Sequence, residues 1–175
     1  GLLRGKAAAV TLKEIGGVGG ALAARAQELF TGLTASEQRI ARRAFLRLGQ
    51  LNESARGIRK RQSIADLCGP SETPAQVLAV LRRFACDQVR LVSLGADPHS
   101  GVAVAELTHE ALLEHWALCR TWLAEHRQEL PFHQRLTEAA QWWAQADRPS
   151  GRLWRPPDLE LLREFHARRG DDLTQ

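Results

Sequence analysis

Apolar residues recur at helical spacing over most of the chain, and two capping boxes mark where helices begin. Residues 34–37 form one box, and the apolar stripe behind it predicts a helix to about Leu48. Residues 73–76 form the other, with proline at the first helical position, and they predict a helix through Cys86. Residues 63–67 predict a single helical turn between these two helices.

The helical period gives way to β-type runs later in the chain. Residues 89–94 and 102–107 predict two strands, and the turn formers of 95–101 predict that they are joined as a hairpin. The polar and basic residues 52–62 predict a loop. Three helices followed by a hairpin are the element order of a winged helix, which is a helix-turn-helix fold with a β-hairpin as its wing. We place this domain at residues 34–108.

The flanking segments also predict helices. Residues 21–30 predict a short helix, whereas the glycines of 16–20 predict an interruption before it. After the hairpin, apolar spacing predicts helices over 109–126, 130–146 and 156–168. The fold class predicted is therefore mainly α: a winged helix followed by a small helical bundle. We expect this bundle to contain the tryptophans, at positions 116, 122, 142, 143 and 154.

Composition places few limits on function. A net charge of +4 permits an anionic partner without requiring one. No apolar run approaches the roughly 20 residues that span a bilayer, and no signal-peptide pattern is present, so we expect a cytoplasmic protein without a membrane partner.

Cys68, Cys86 and Cys119 are far apart, which predicts buried free thiols rather than a disulfide framework. Because the chain contains no methionine, we expect it to be a fragment of a longer protein.

The most informative stretch is Thr108-His109-Glu110, between the second predicted strand and the following helix. With Thr108 as N-cap, His109 lies on the first helical turn, where backbone N–H groups lack intrahelical partners. That end of a helix attracts phosphate, and its dipole favours a neutral imidazole with one N–H to donate. The segment therefore predicts a phosphate-sensing site, and the alternative is a histidine that only solvates the helix end.

This stretch resembles the Met-His-Asp motif of STAND signalling ATPases, the class that includes NACHT and plant resistance-type switches. Residues 15–22, Ile-Gly-Gly-Val-Gly-Gly-Ala-Leu, resemble the Gly-rich junction that closes the nucleotide-binding region in the bacterial group. Residues 135–140 and 153–155 also fit that group. The resemblance, to the novel STAND NTPases of bacteria, extends from Leu12 onward. Thr-His-Glu keeps the histidine and an acid but changes the first position.

The resemblance implies a regulatory module. Residues 1–33 are then the end of an upstream nucleotide-binding or lid region and its linker helix, and 109–175 a helical extension that leads to a downstream sensor such as WD repeats. The resemblance further implies that His109, with Thr108, contacts the β-phosphate of ADP. We assign Glu110 a structural role as the partner of an arginine in the same domain.

It also implies ADP or ATP with magnesium in the parent chain, and a homo-oligomer on activation. The partners are its own upstream nucleotide-binding domain and downstream sensor repeats. No Gly-x-x-x-x-Gly-Lys-Ser/Thr loop occurs, so we expect the ATPase core upstream, with neither catalysis nor a cofactor in this chain itself.

Basic residues support a second interpretation, a DNA-binding regulator. A loop patch and the end of the second capped helix would bind phosphates through Arg56, Arg59, Lys60, Arg61, Arg82 and Arg83. Recognition helices read bases mainly through their N-terminal residues, where only Gln76 suits a base edge. The predicted wing tip carries an aspartate and no lysine or arginine, so DNA binding ranks second. A solvated surface or a structural adaptor is the remaining alternative.

Two further patterns complete the prediction. A zinc motif His-Glu-x-x-His needs histidine at position 113, where Leu113 stands, and His115 lies about 240° around a helix from His109, so we expect no metal site. The first capped helix carries four arginines that its periodicity places on the outward face, at positions 39, 42, 43 and 47.

Overall fold

The computed structural model describes residues 17–52, 54, 56–86 and 90–169, and it is mainly helical with two small antiparallel sheets. This confirms the predicted fold class at that level. The chain divides into two compact units, Gly1–Ala124 and Glu125–Gln175. The predicted functional division at residues 33 and 108 stays a prediction. Within the described part of the chain, no helix combines the length and apolar character needed to cross a bilayer.

Both predicted capping boxes are present. Thr34 N donates to Glu37 Oε2 at 2.8 Å, and Thr73 N donates to Gln76 Oε1 at the same distance. Each threonine hydroxyl accepts the reciprocal backbone N–H, which satisfies donors that lack helical partners. Within the described residues, the helices up to residue 85 are α1 (Gly17–Thr31), α2 (Ala35–Leu48), α3 (Ile64–Leu67) and α4 (Pro74–Ala85).

The predicted glycine interruption before α1 is wrong for residues 17–20, which are helical, while Gly16 lies outside the described residues. Gly19 lies directly against His115, and a Cβ there would overlap the imidazole ring. Glycine costs helix stability of about 1 kcal/mol relative to alanine. The glycine permits the close approach of His115, because a Cβ there would force the imidazole ring to move.

In the part of the chain that the structure describes, five strands form two sheets. They are β1 (Gly49–Leu51) and β2 (Gly57–Arg59) in one sheet, and β3 (Gln62–Ser63), β4 (Val92–Ala96) and β5 (Ala103–Leu107) in the other. The second sheet has the order β3-β5-β4, and all its pairings are antiparallel. The predicted hairpin is confirmed as β4–β5, although Val89 lies outside the described residues. The predicted loop at 52–62 is wrong for residues 57–59 and 62, which belong to β2 and β3.

The helices after the hairpin also differ from the prediction. In place of a helix over 109–126, the chain forms α5 (Ala111–His115) and then breaks at Trp116, whose backbone is extended. The next helix, α6 (Ala117–Gln145), has 29 residues and continues through Pro131. Proline removes one helical hydrogen bond, but the surrounding residues are good helix formers without a stop signal.

An aromatic cluster forms the centre of the first unit. Trp116 is 2% exposed, and its ring centroid lies 5.1 Å from Phe45, 5.9 Å from Phe30 and 5.3 Å from Trp122. Its indole N–H donates to Gln27 Oε1 at 2.8 Å. The expectation that every tryptophan belongs to a C-terminal bundle is therefore wrong, since two of them hold together α1, α2 and the segment after α5.

The predicted outward face of α2 is wrong for Arg43. Its side chain is buried and paired with Glu72. Arg47 donates to the backbone oxygen of Asp66 in α3 and to that of Cys68, directly after α3. Periodicity identified the polar stripe of the helix, but it could not show that α3 and the loop after it cover part of that stripe.

The second unit is built from the C-terminal part of α6, a short 3-10 helix (Ser150–Arg152) and α7 (Asp158–Arg169). Phe132 packs against Trp154 and Phe165 at centroid distances of 5.8 and 5.2 Å. Trp142 is 56% exposed, in line with the separate directions of adjacent helical residues. The predicted helix over 156–168 is confirmed as α7, two residues later at its start.

The cysteines are free thiols in three different environments, so the prediction that all are buried is wrong for the exposed Cys86. Burial raises the pKa of the Cys119 thiol to about 12. It also raises the pKa of Cys68, with the nearby Glu72 carboxylate as a smaller cause. Thiolate is the reactive form, so reactivity should follow exposure.

We expect iodoacetamide at pH 8 to alkylate Cys86 first, Cys68 more slowly and Cys119 only after unfolding. Peptide mass spectrometry at successive times measures each site, and a parallel reaction in denaturant, where all three should react, is the control. Labelling of Cys119 at the rate of Cys86 in the native protein would contradict the burial of Cys119 in the first unit.

Candidate functional site

Residues 108–110 connect β5 to α5 and are called the His109 junction below. The predicted N-cap role of Thr108 is wrong, because α5 begins at Ala111 and Glu110 occupies the N-cap position without a side-chain cap. The Thr108 backbone N–H instead donates to Leu91 O at 3.0 Å. His109 therefore precedes the helix, and the predicted effect of a helix N-terminus cannot be the main source of phosphate affinity in a helix of five residues.

The side chain of His109 lies at the surface of the first unit, where its residue is exposed. Its backbone is held from inside, since Leu112 N donates to His109 O at 3.2 Å and Leu113 N donates to Glu110 O at 2.9 Å. Both leucines are buried. The junction thus presents an accessible imidazole on a backbone that is anchored to the core.

Arg59, the last residue of β2, binds the His109 junction on both sides. Its Nη1 donates to Leu107 O and Thr108 O, each at 3.1 Å. Its Nε lies 3.4 Å from Glu110 Oε1, and Nη1 lies 3.8 Å from Glu106 Oε1. A planar guanidinium with five donors can satisfy carbonyl and carboxylate partners together, which an ammonium group cannot do in the same geometry.

Three glycines lie directly against side chains of α5. A Cβ built on Gly57 would lie 2.6 Å from Leu113 Cβ, and one built on Gly49 would lie 2.6 Å from Leu113 Cδ2. Gly19 of α1 lies in the same way against His115. Because real Cβ atoms do not approach other atoms so closely, positions 49 and 57 need glycine if the buried Leu113 is to keep its place.

The other predicted basic site residues have separate roles. Arg61 donates to Ala96 O at 3.4 Å, while Arg83 lies 3.5 Å from Glu37. The remaining candidates are exposed, namely Arg56, Lys60 and Arg82. Arg59, Arg61 and Arg83 thus contact different partners, and binding of the six cations to DNA stays a prediction.

The β4–β5 turn is organised by a carboxylate. Asp97 Oδ1 accepts from the backbone N–H groups of Ser100 at 2.9 Å and His99 at 3.1 Å, and from the Ser100 hydroxyl at 2.9 Å. These hydrogen bonds, first that of the Ser100 backbone, hold the pKa of Asp97 below its usual range. The turn therefore keeps a negative charge, which opposes a close approach of DNA phosphates.

Sequence patterns missed the contribution of β1 and β2. Arg59 was assigned to a phosphate-binding patch, although it lies against the His109 junction. Gly57 and Gly49 carried the only available signal, because glycine in a short strand often marks a close approach of another segment. The described residues contain no group of three or more His, Cys, Asp or Glu side chains placed to hold a metal ion.

Comparison with known families gives one match. The family model described as Novel STAND NTPase 1 matches residues 4–151. No curated protein and no solved structure shows a match to the chain. The matched range includes the His109 junction, the strand that carries Arg59 and all three glycines that lie against α5.

Proposed function

The chain belongs to the Novel STAND NTPase 1 family, and on that basis we propose that it is the regulatory module of a cytoplasmic STAND signalling ATPase. The module senses the state of a nucleotide bound by an upstream domain and performs no catalysis itself. Its partners are that nucleotide-binding domain, sensor repeats downstream of the helical extension, and further copies of the protein on activation. DNA binding, the alternative from the sequence, has no specific observation in its favour.

We assign residues 34–108 to a winged helix. The order of α2, α3 and α4 followed by the β4–β5 hairpin supports this assignment, as does the pairing of β3 with β5. In this fold, β4–β5 is the wing, and the buried faces of α2 and α4 meet at Phe45 and Phe84, whose ring centroids lie 5.2 Å apart. Such a compact body can rotate as one piece between two states.

The observation that carries the proposal is the exposed His109 on an anchored junction. An imidazole N–H there donates to the β-phosphate of ADP and thereby favours the resting state. Glu110 would repel phosphate if its charge were uncompensated, but Arg59 lies beside it. Arg59 therefore lowers the repulsion between Glu110 and a phosphate at His109. We assign the magnesium ion that accompanies ATP to the nucleotide-binding domain.

The nucleotide biases the equilibrium between the resting state and the rotated, active state only if it contacts these two states differently. His109 supplies such a difference, because its hydrogen bond exists in the resting state and is lost when the module rotates away. One hydrogen bond to a charged group contributes roughly 1.5–3 kcal/mol. That range corresponds to a change of roughly 10- to 150-fold in nucleotide retention.

The test is ADP release from the complete protein that carries this chain. We expect wild-type protein to purify with bound ADP and His109→Ala to release it roughly 10- to 150-fold faster. His99→Ala is the matched control, since it removes an exposed histidine from the β4–β5 turn. Equal release by wild type and His109→Ala would contradict the role of His109. Absence of nucleotide from both would contradict the switch itself and favour DNA binding.

A further inference from the structure

Arg59 contacts the chain immediately before and immediately after His109. It binds the carbonyl oxygens of Leu107 and Thr108 on one side, at 3.1 Å each, and approaches the Glu110 carboxylate on the other, at 3.4 Å. The side chain of Arg59 is 35% exposed and that of Glu110 58% exposed. Their ion pair alone would therefore contribute little, and the two bonds to carbonyl oxygens carry most of the restraint.

The backbone of the β1–β2 hairpin packs against α5, directly after the His109 junction. Gly57 lies two residues before Arg59 in β2, and it touches Leu113 so closely that a Cβ would not fit. Gly49, paired with Arg59 across the two strands, touches Leu113 as well. The hairpin thus holds α5 by shape and the junction by hydrogen bonds.

Arg59 also sets the charge around His109. Glu106 and Glu110 bring two carboxylates to the junction, and the guanidinium lies 3.8 and 3.4 Å from them. Without this cation, an anionic ligand at His109 would meet two uncompensated negative charges. Arg59 therefore orders the backbone of the site and offsets one of these two negative charges.

We propose that the β1–β2 hairpin is the element that positions His109, and that Arg59 is its positioning residue. The consequence for nucleotide binding rests on the proposed function, whereas the effect on the junction does not. Arg59 does not touch the nucleotide in this proposal. It acts through the backbone of residues 108–110 and through the charge of Glu110.

The first experiment measures amide hydrogen exchange in the complete protein. The amides of Leu112 and Leu113 report on the junction directly, because their acceptors are the carbonyl oxygens of His109 and Glu110. We expect Arg59→Ala to speed their exchange about tenfold, the effect of losing about 1.4 kcal/mol of hydrogen bonding. The amide of Gln38, bonded to Thr34 O, should not change and serves as the internal reference.

Two matched variants sharpen the exchange experiment. Arg25→Ala removes an arginine from an exposed ion pair with Glu28 on α1, and it should leave the Leu112 and Leu113 amides unchanged. Arg59→Lys keeps the positive charge but loses the fork geometry, so an intermediate acceleration is expected. Unchanged exchange at both leucines in Arg59→Ala, or equal acceleration at Gln38, would overturn the proposal.

The second experiment measures ADP release in a double-mutant cycle. If Arg59 acts through His109, Arg59→Ala should speed release about tenfold in the wild-type background and less than about twofold in the His109→Ala background. Equal acceleration in both backgrounds would overturn the positioning role. If His109→Ala itself leaves release unchanged, the proposed function fails, and the exchange of Leu112 and Leu113 alone decides the role of Arg59.

Discussion

Replacing Trp116 by alanine is expected to lower the free energy of unfolding by about 3–5 kcal/mol, the range for removing a large buried aromatic side chain. Trp116 is 2% exposed and packs against Phe30, Phe45 and Trp122. The substitution leaves a cavity among rings from three segments that are distant in the sequence. It also leaves the Gln27 side chain without its indole partner.

Urea unfolding followed by far-ultraviolet circular dichroism measures this loss without relying on the fluorescence of the removed tryptophan. Trp116→Phe is the matched variant: it keeps an aromatic ring in the cluster but removes the N–H that donates to Gln27, so a smaller loss is expected. Trp142→Ala, at a residue that is 56% exposed, is the control and should change stability by no more than about 0.5 kcal/mol. A loss below about 1 kcal/mol in Trp116→Ala would contradict the central place of this cluster.

Replacing Arg43 by alanine is expected to lower the free energy of unfolding by about 3–5 kcal/mol, because it leaves a largely buried carboxylate without its cation. The side chains of Arg43 and Glu72 are 7% and 15% exposed. Gly69 closes over the guanidinium so tightly that a Cβ there would overlap it, and its N–H donates to Glu72 Oε2 at 2.8 Å. The pair therefore joins α2 to the loop before α4.

The control for Arg43 is Arg39→Ala, at an exposed arginine of the same helix, where a change within about 0.5 kcal/mol is expected. Replacing both partners, as Arg43→Met with Glu72→Leu, should recover much of the loss, since apolar residues of similar volume leave no buried charge. Denaturant midpoints of the four proteins provide the comparison. Equal stability of Arg43→Ala and Arg39→Ala would show that the pair does not stabilise the fold.

Local sequence determined the helix starts at Thr34, Ser63 and Thr73, because each cap involves atoms within three residues of one another. It also determined the β4–β5 hairpin, since alternating residues flanked by turn formers report on pairing between neighbouring segments. The same short-range logic placed Thr-His-Glu between a strand and a helix, and the family resemblance found there was confirmed by the match over residues 4–151.

Only the tertiary structure decided the features that depend on distant contacts. Gly19 lies against the His115 ring, and Arg43 is buried because Glu72 and Gly69 surround it. Arg59 holds a junction that lies about fifty residues further along the chain, and its neighbour Gly57 signals a close approach without identifying the partner. Periodicity and caps express interactions within a few residues, whereas these contacts depend on how whole elements pack. The helix starts could therefore be predicted from the sequence, but the setting of His109 required the fold.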